Sequence, residues 1–308
     1  MNKILITGHQ NPDTDTITSA ISFSYLQNTL GKNTEAVALG TPNEETQFAL
    51  DYFKIQAPRV ISSASDETNE IILVDHNEFQ QSVSDIEELT ILAVIDHHRI
   101  ANFHTSFPLY YRAEPVGCTQ TIILKIYKEN SIEIPPAIAG LMLSGIISDT
   151  LLFKSPTCTK DDINAAHELA KIAGIEVEKY GLDLLKAGTN LSNKSAEELI
   201  SLDAKSFEVN GKKIRVAQVN TIDYDDVFLK KNSIETAISN QINQEGYDLF
   251  LLVVTNVLDS DSKILAKGNA SQAAEKAFGV QLDNGEAFLK GVVSRKKQII
   301  PQITEALS

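Results

Sequence analysis

Short β-branched apolar runs that stop abruptly in acids and imidazoles set the frame of this chain. Residues 91–95 (ILAVI) end in Asp96-His97-His98, and residues 71–74 (IILV) end in Asp75-His76-Asn77. A first run at 3–7 passes through Gly8 into His9, Asp13 and Asp15. Runs this brief are expected as buried strands, well short of the roughly 20 residues a membrane helix needs. Further strands are expected at 34–39, 59–62 and 109–113. Helical spacing marks 14–30, 44–52 (with Asn43 as N-cap), a short acidic helix at 84–89, and then 117–129, 136–147, 160–173 and 177–186. Strands alternating with helices over this length predict an α/β fold: a mostly parallel sheet with helices on both faces.

The polar stretch 187–193 (AGTNLSN) breaks the alternation. It divides the chain into an N-terminal domain at 1–187, a flexible hinge linker at 188–194 and a smaller α/β domain at 195–308. In the second domain Ser195 is expected to cap a helix at 196–202. A hairpin is expected at 205–219, turning on Asn210-Gly211. A helix at 224–245 follows, then strands at 249–257, 263–267 and 285–290, a helix at 271–278 and a closing helix from about Pro301.

A net charge of −14 disfavours a general nucleic-acid or anionic-membrane binder. No signal-peptide pattern opens the chain, and its two cysteines, Cys118 and Cys158, make no disulfide framework. A cytoplasmic location is the expectation.

Four polar clusters recur at segment ends: His9-x3-Asp13-x-Asp15, Asp75-His76-Asn77, Asp96-His97-His98 and Ser148-Asp149. In an open parallel sheet, ligands gather outside the carboxyl ends of the strands, which is where three of these clusters fall. Carboxylates mixed with imidazoles and no thiolate suit Mn2+, Co2+, Mg2+ or Zn2+ better than a structural Cys site, and several carboxylates per histidine suggest two ions. Each cluster alone is an ordinary polar segment end, with His76 and Asn77 read as solvated neighbours of Asp75. Their recurrence favours a metal site. Near the C-terminus Arg295, Lys296 and Lys297 form a basic cluster in an acidic chain: alone it reads as a solvated basic patch, and opposite a binuclear metal site in the other domain a clamp for a substrate oxyanion is the better reading.

The four clusters together resemble the DHH phosphoesterase superfamily. The opening GHQNPDTD with DHN, DHH, SDT and the closing SRKKQ resembles the family II, manganese-dependent inorganic pyrophosphatases. The likeness extends to 40–52 (GTPNEETQFALDY), 109–118 (LYYRAEPVGC) and 202–207 (LDAKSF). It implies hydrolysis of pyrophosphate to two phosphates, with a metal-bridged hydroxide as nucleophile at a binuclear site. One Mn2+ would be held by His9, Asp13 and the bridging Asp75; the other by Asp15, Asp75, His97 and Asp149. Co2+ would substitute, and Mg2+ would arrive with the substrate. His98 is implied as proton donor or hydrogen-bonding partner near the leaving phosphate. Lys205, Arg295 and Lys296 are implied as ligands of the distal phosphate, and Asp96 as a support that orients a ligand from behind. Lys297 has no implied role. The resemblance also implies a homodimer through the N-terminal domain. The rivals are a DHH nuclease or exopolyphosphatase with the same metal chemistry, and a non-catalytic metal-binding module.

Overall fold

The computed structural model describes residues 3–189, 191 and 193–308, with the backbone alone at Lys296 and Lys297. It divides into two compact units, Met1–Gly188 and Thr189–Ser308.

The first unit is built on a six-stranded, all-parallel sheet. Its strands are β1 (Ile4–Thr7), β2 (Thr34–Ala38), β3 (Arg59–Val60), β4 (Glu70–Val74), β5 (Thr90–Asp96) and β6 (Tyr110–Ala113), in the order β3-β2-β1-β4-β5-β6. The helices are α1 (Thr14–Thr29), α2 (Glu44–Phe53), α3 (Thr119–Glu129), α4 (Pro136–Thr150), α5 (Lys160–Ala173) and α6 (Val177–Gly188). Alternate strand residues explain the two-sided burial: Leu5, Ile71, Leu73 and Val94 are fully buried on one face. That face is closed by residues such as Ala64, Val83 and Phe103 and by the short turns Phe79–Gln81 and Ile86–Glu88. Helices α1 and α3 pack on strands of the same sheet, and the apolar α4 packs on α1 and α5. The strand order reverses between β1 and β4. In such a sheet the crevice outside the carboxyl ends at the reversal is where ligands bind.

The second unit is a five-stranded mixed sheet in the order β11-β10-β9-β8-β7. It comprises β7 (Lys205–Val209), β8 (Lys212–Thr221), β9 (Leu249–Asn256), β10 (Asp261–Lys267) and β11 (Glu286–Leu289). Around it lie α7 (Ala196–Leu199), α8 (Asp225–Phe228), α9 (Lys231–Glu245), α10 (Gln272–Phe278) and α11 (Ile300–Leu307). Central β9 is buried throughout: Phe250, Leu252 and Val254 pack with Ile234 and Ile238 of α9, while Leu249, Leu251 and Val253 pack with Ile299 and Ile303. The β7–β8 hairpin turns on Asn210 (φ 48°) and Gly211 (φ 74°), the two left-handed positions a tight hairpin requires.

Two expectations need correction. The helix expected at 224–245 is broken into α8 and α9, and at the break the Lys230 Nζ donates to the carbonyls of Leu191 at 3.0 Å and Lys194 at 2.7 Å. Helix α6 runs through Gly188, the first residue of the stretch 188–194 read as linker. Of that stretch, Asn190 and Ser192 lie outside the described residues.

Candidate metal centre

The loop after β1 must pass close to α1 to reach the switch point. A Cβ on Gly8 would fall 2.3 Å from Thr16 Cγ2, so glycine alone fits there. This close passage carries His9 over the start of α1. Asp13 is the N-cap of that helix, its Oδ1 accepting from the Thr16 main-chain N at 2.9 Å, and Asp15 sits fully buried in the first turn. Asp75 directly follows β4 with φ 59°, a left-handed conformation costing about 1–3 kcal/mol for a side chain like this, and its N donates to Ile95 O at 2.9 Å. His97 and His98 follow β5. Asp149 lies in the last turn of α4, which Leu151, Leu152 and Phe153 stop with successive φ of 48°, 51° and 68°.

These elements converge. His9, Asp13 and Asp75 each offer a ligand atom within 4.8 Å of the others, as do Asp15, Asp75, His97 and Asp149, so Asp75 belongs to both sets. A third, overlapping set is Asp75, His97 and His98. His9 Nε2 is 3.5 Å from both Asp13 Oδ2 and Asp75 Oδ2; His97 Nε2 is 3.4 Å from Asp75 Oδ1 and 3.6 Å from Asp149 Oδ2. Both imidazoles are aimed the same way. Nδ1 of His9 donates to Gln10 O at 2.8 Å and Nδ1 of His97 to Val116 O at 3.1 Å, turning each Nε2 toward the acids. Orientation of a ligating imidazole through its other nitrogen is typical of metal sites.

The electrostatics point the same way. Burial disfavours the imidazolium form of His9, but Asp13 and Asp75 outweigh it and hold the ring at about 9. His97 is likewise raised to about 9, by Asp75 and Asp15 against burial. Burial and the neighbouring Asp75 charge push Asp15 up to about 7, and burial with Asp15 raises Asp149 well above the carboxylate range. Four acids so close repel one another, and divalent cations would relieve that repulsion. His97 Nε2 is buried and, among the described residues, has no hydrogen-bond partner. An orphaned imidazole nitrogen beside hard oxygen donors fits a Mn2+-type ion.

An outer layer, which the sequence reading does not single out, holds the acids. Thr16 Oγ1 donates to Asp75 Oδ2 at 2.7 Å and Thr119 Oγ1 to Asp75 Oδ1 at 3.0 Å, so each oxygen of the shared carboxylate has its own buried hydroxyl. The Thr119 main-chain N donates to Asp15 Oδ2 at 2.7 Å, and Ser19 Oγ to Asp15 Oδ1 at 2.9 Å. Asp162 in turn fixes the loop before Thr119 through Gly117 N at 2.9 Å. The only sequence signal for these hydroxyls is their place in the first turns of α1 and α3.

His76 and Asn77 are not solvated: their exposures are 2% and 1%. His76 Nδ1 donates to Val74 O at 2.9 Å and Nε2 accepts from Ser82 Oγ at 2.7 Å; burial lowers its pKa to about 4, so it is a neutral core histidine. Asn77 donates to Asp96 Oδ2 at 2.6 Å. Asp96, expected to orient a ligand, bonds His98, while His97 rests on the Val116 carbonyl.

In the second unit, Lys205 is exposed at the start of β7, and Arg295 opens a π-helical turn, Arg295–Ile299, ahead of α11. Arg295 Nη2 pairs with Asp203 Oδ1 at 2.9 Å, while its Nε and Nη1 are buried without a hydrogen-bond partner among the described residues. The side chains of Lys296 and Lys297 lie outside what is described.

An acid–imidazole cluster at the switch point of a parallel sheet, with a second sheet unit following, defines a DHH-type protein. Residues 3–146 match the model of the DHH family, N-terminal domain, and residues 182–306 match the DHHA2 domain. The chain is 66% identical to an Enterococcus faecalis protein named "Probable manganese-dependent inorganic pyrophosphatase" and 60% identical to the manganese-dependent inorganic pyrophosphatase of Bacillus subtilis, each over 100% of both chains. A Methanococcus jannaschii structure assigned to the family II inorganic pyrophosphatases superposes with a TM-score of 0.63 at 42% identity, covering 99% of both chains. An exopolyphosphatase-related protein from Bacteroides fragilis shares the fold, with a TM-score of 0.53 at 14% identity over 99% of this chain and 92% of its own. The chain belongs to the family of manganese-dependent inorganic pyrophosphatases.

Proposed function

We propose that the first unit holds two Mn2+ per chain, one on His9, Asp13 and Asp75 and one on Asp15, Asp75, His97 and Asp149, and that the enzyme hydrolyses pyrophosphate to two phosphates there. The observation that carries this reading is the place of Asp75 in both candidate sets, with a separate hydroxyl fixing each of its oxygens. When bound, the ions supply a water acidic enough to be ionised near neutral pH and positive charge for substrate oxygens. Thr16 and Thr119 hold the shared carboxylate in place for both sides. His98, half exposed and tied to Asp96 by Nδ1, presents Nε2 as proton donor to the departing phosphate. Lys205, Arg295 and Lys296 bind the distal phosphate, and the two unpartnered guanidinium nitrogens of Arg295 support that role. Mg2+ accompanies the substrate, Co2+ replaces Mn2+, and the segment after α6, up to residue 194, acts as the hinge between catalytic and substrate-binding domains.

A homodimer through the first unit belongs to the same reading. β6 (Tyr110–Ala113) is an edge strand with Tyr110 half exposed, open to pairing with another strand. Sedimentation at low and high protein concentration tests it, and a monomer throughout would refute it.

The rival is a nuclease or exopolyphosphatase on the same metals. Phosphate release from pyrophosphate, polyphosphate and a short oligonucleotide separates them: pyrophosphate should be turned over fastest by a wide margin, and preference for either polymer would overturn the assignment. The net charge of −14 already sits badly with an oligonucleotide substrate.

A further inference from the structure

Glu45 belongs to none of the candidate ligand sets, yet its carboxylate lies along their edge. It sits in the first turn of α2, where burial pushes its carboxyl up. One oxygen, Oε1, accepts from Thr14 Oγ1 at 2.6 Å and also from Ser148 Oγ. Thr14 stands between Asp13 and Asp15; Ser148 adjoins Asp149. On the other side of the carboxylate is Gly188, the last residue of α6. A Cβ there would lie 2.8 Å from Glu45 Oε2 and 2.9 Å from Glu45 Cβ.

We propose that Glu45 is a positioning residue for the metal centre: through Oε1 it ties the start of α1 to the last turn of α4 and so fixes Asp15 relative to Asp149. This rests on the two-ion reading above. Plain packing would be served as well by an apolar side chain, since even a partly buried carboxylate carries a desolvation cost. Glu45 instead spends its acceptor on two hydroxyls, each next to a ligand of the same candidate ion. Asp13 has its own N-cap bond to Thr16, so the ion sharing Asp15 and Asp149 should depend on Glu45 the more.

The test is calorimetric titration of metal-stripped protein with Mn2+, with melting temperature recorded alongside, for wild type, Glu45→Ala, Glu45→Gln and Gly188→Ala. Glu45→Ala should weaken one of two Mn2+ sites about tenfold or more, the range seen for groups that orient metal ligands. Glu45→Gln keeps a carbonyl oxygen for both hydroxyls and should stay within about threefold of wild type. Gly188→Ala alters nothing in the site and puts alanine into a helix, a change that ordinarily stabilises. Because its Cβ must displace Glu45, it should nevertheless weaken the same site. If Glu45→Ala does not fold, Gly188→Ala decides. Wild-type Mn2+ affinity in Gly188→Ala and in folded Glu45→Ala, with only the melting temperature changed, would overturn the positioning role. A wild type that binds no Mn2+ would overturn the two-ion reading itself.

Discussion

Asp96 Oδ1 accepts two hydrogen bonds from His98, one from its main-chain N and one from its ring Nδ1, each at 3.0 Å. Asp96 Oδ2 is taken by the Asn77 side-chain amide at 2.6 Å. The carboxylate is therefore used as an acceptor on both sides, which no amide can reproduce. Asp96→Asn must turn its NH2 toward either His98 or Asn77. Turnover is expected to fall about 10- to 100-fold, the cost of a misplaced catalytic group. Mn2+ affinity should stay within about threefold, because His97 is held by Val116 O instead. Steady-state kinetics with a parallel metal titration checks this, and unchanged kcat would refute it.

Thr119 touches both sides of the centre, with its hydroxyl on Asp75 and its main-chain N on Asp15. Thr119→Val keeps the shape and the N–H and removes only the hydroxyl, leaving Asp75 Oδ1 short of a donor. Mn2+ affinity of the stripped protein should drop about 10- to 100-fold with little change in melting temperature. Full affinity in the variant would remove Thr119 from the account.

Arg295 has one arm on the mostly exposed Asp203 and two nitrogens without a hydrogen-bond partner among the described residues. An ion pair so exposed on one side contributes little to stability. Arg295→Ala should raise KM for pyrophosphate at least about tenfold and lower kcat. Arg295→Lys should recover only part, since an ammonium lacks the planar fork, and Asp203→Asn should stay within about threefold of wild type. Wild-type kinetics for Arg295→Ala would count directly against the phosphate-binding role.

Away from the site, Glu286 on β11 pairs with Lys231 and with Lys263. Burial works against its charge, but the two lysines hold its carboxyl below the usual glutamate range. Its stabilisation is therefore full above the unfolded-state pKa of about 4.5 and is lost as pH falls through the lower folded-state value. Glu286→Gln should cost about 1 kcal/mol or less at pH 7, given the partial exposure. The melting-temperature gap between variant and wild type should shrink as pH falls below about 4.5 and close below the lower folded-state value. A gap that persists there would mean that packing, not charge, is responsible.

The strands and the polar clusters at their ends were legible because each rests on a local pattern: a β-branched run fixes a strand, and its polar terminus falls at the sheet's carboxyl edge. The resemblance then allotted roles that such patterns leave open for Asp149, which ends a helix. The hydroxyls of Thr16, Ser19 and Thr119 were not legible, since Thr and Ser occur everywhere and only tertiary contact distinguishes these three. His76 misled for the converse reason: adjacent to Asp75 in sequence, it points into the core and bonds Ser82. The break between α8 and α9 was hidden because it turns on Lys230 reaching the main chain near residue 191, a contact without local signature. Which of two adjacent histidines Asp96 holds was not legible either, since it depends on the turn after β5.

The central claim is tested most directly by a pyrophosphatase assay on metal-stripped protein, with Mn2+, Co2+, Zn2+ and Mg2+ added back separately. Phosphate release should be negligible without added metal and restored by Mn2+, with Co2+ as a substitute. No phosphate release with any of the four ions would contradict the account.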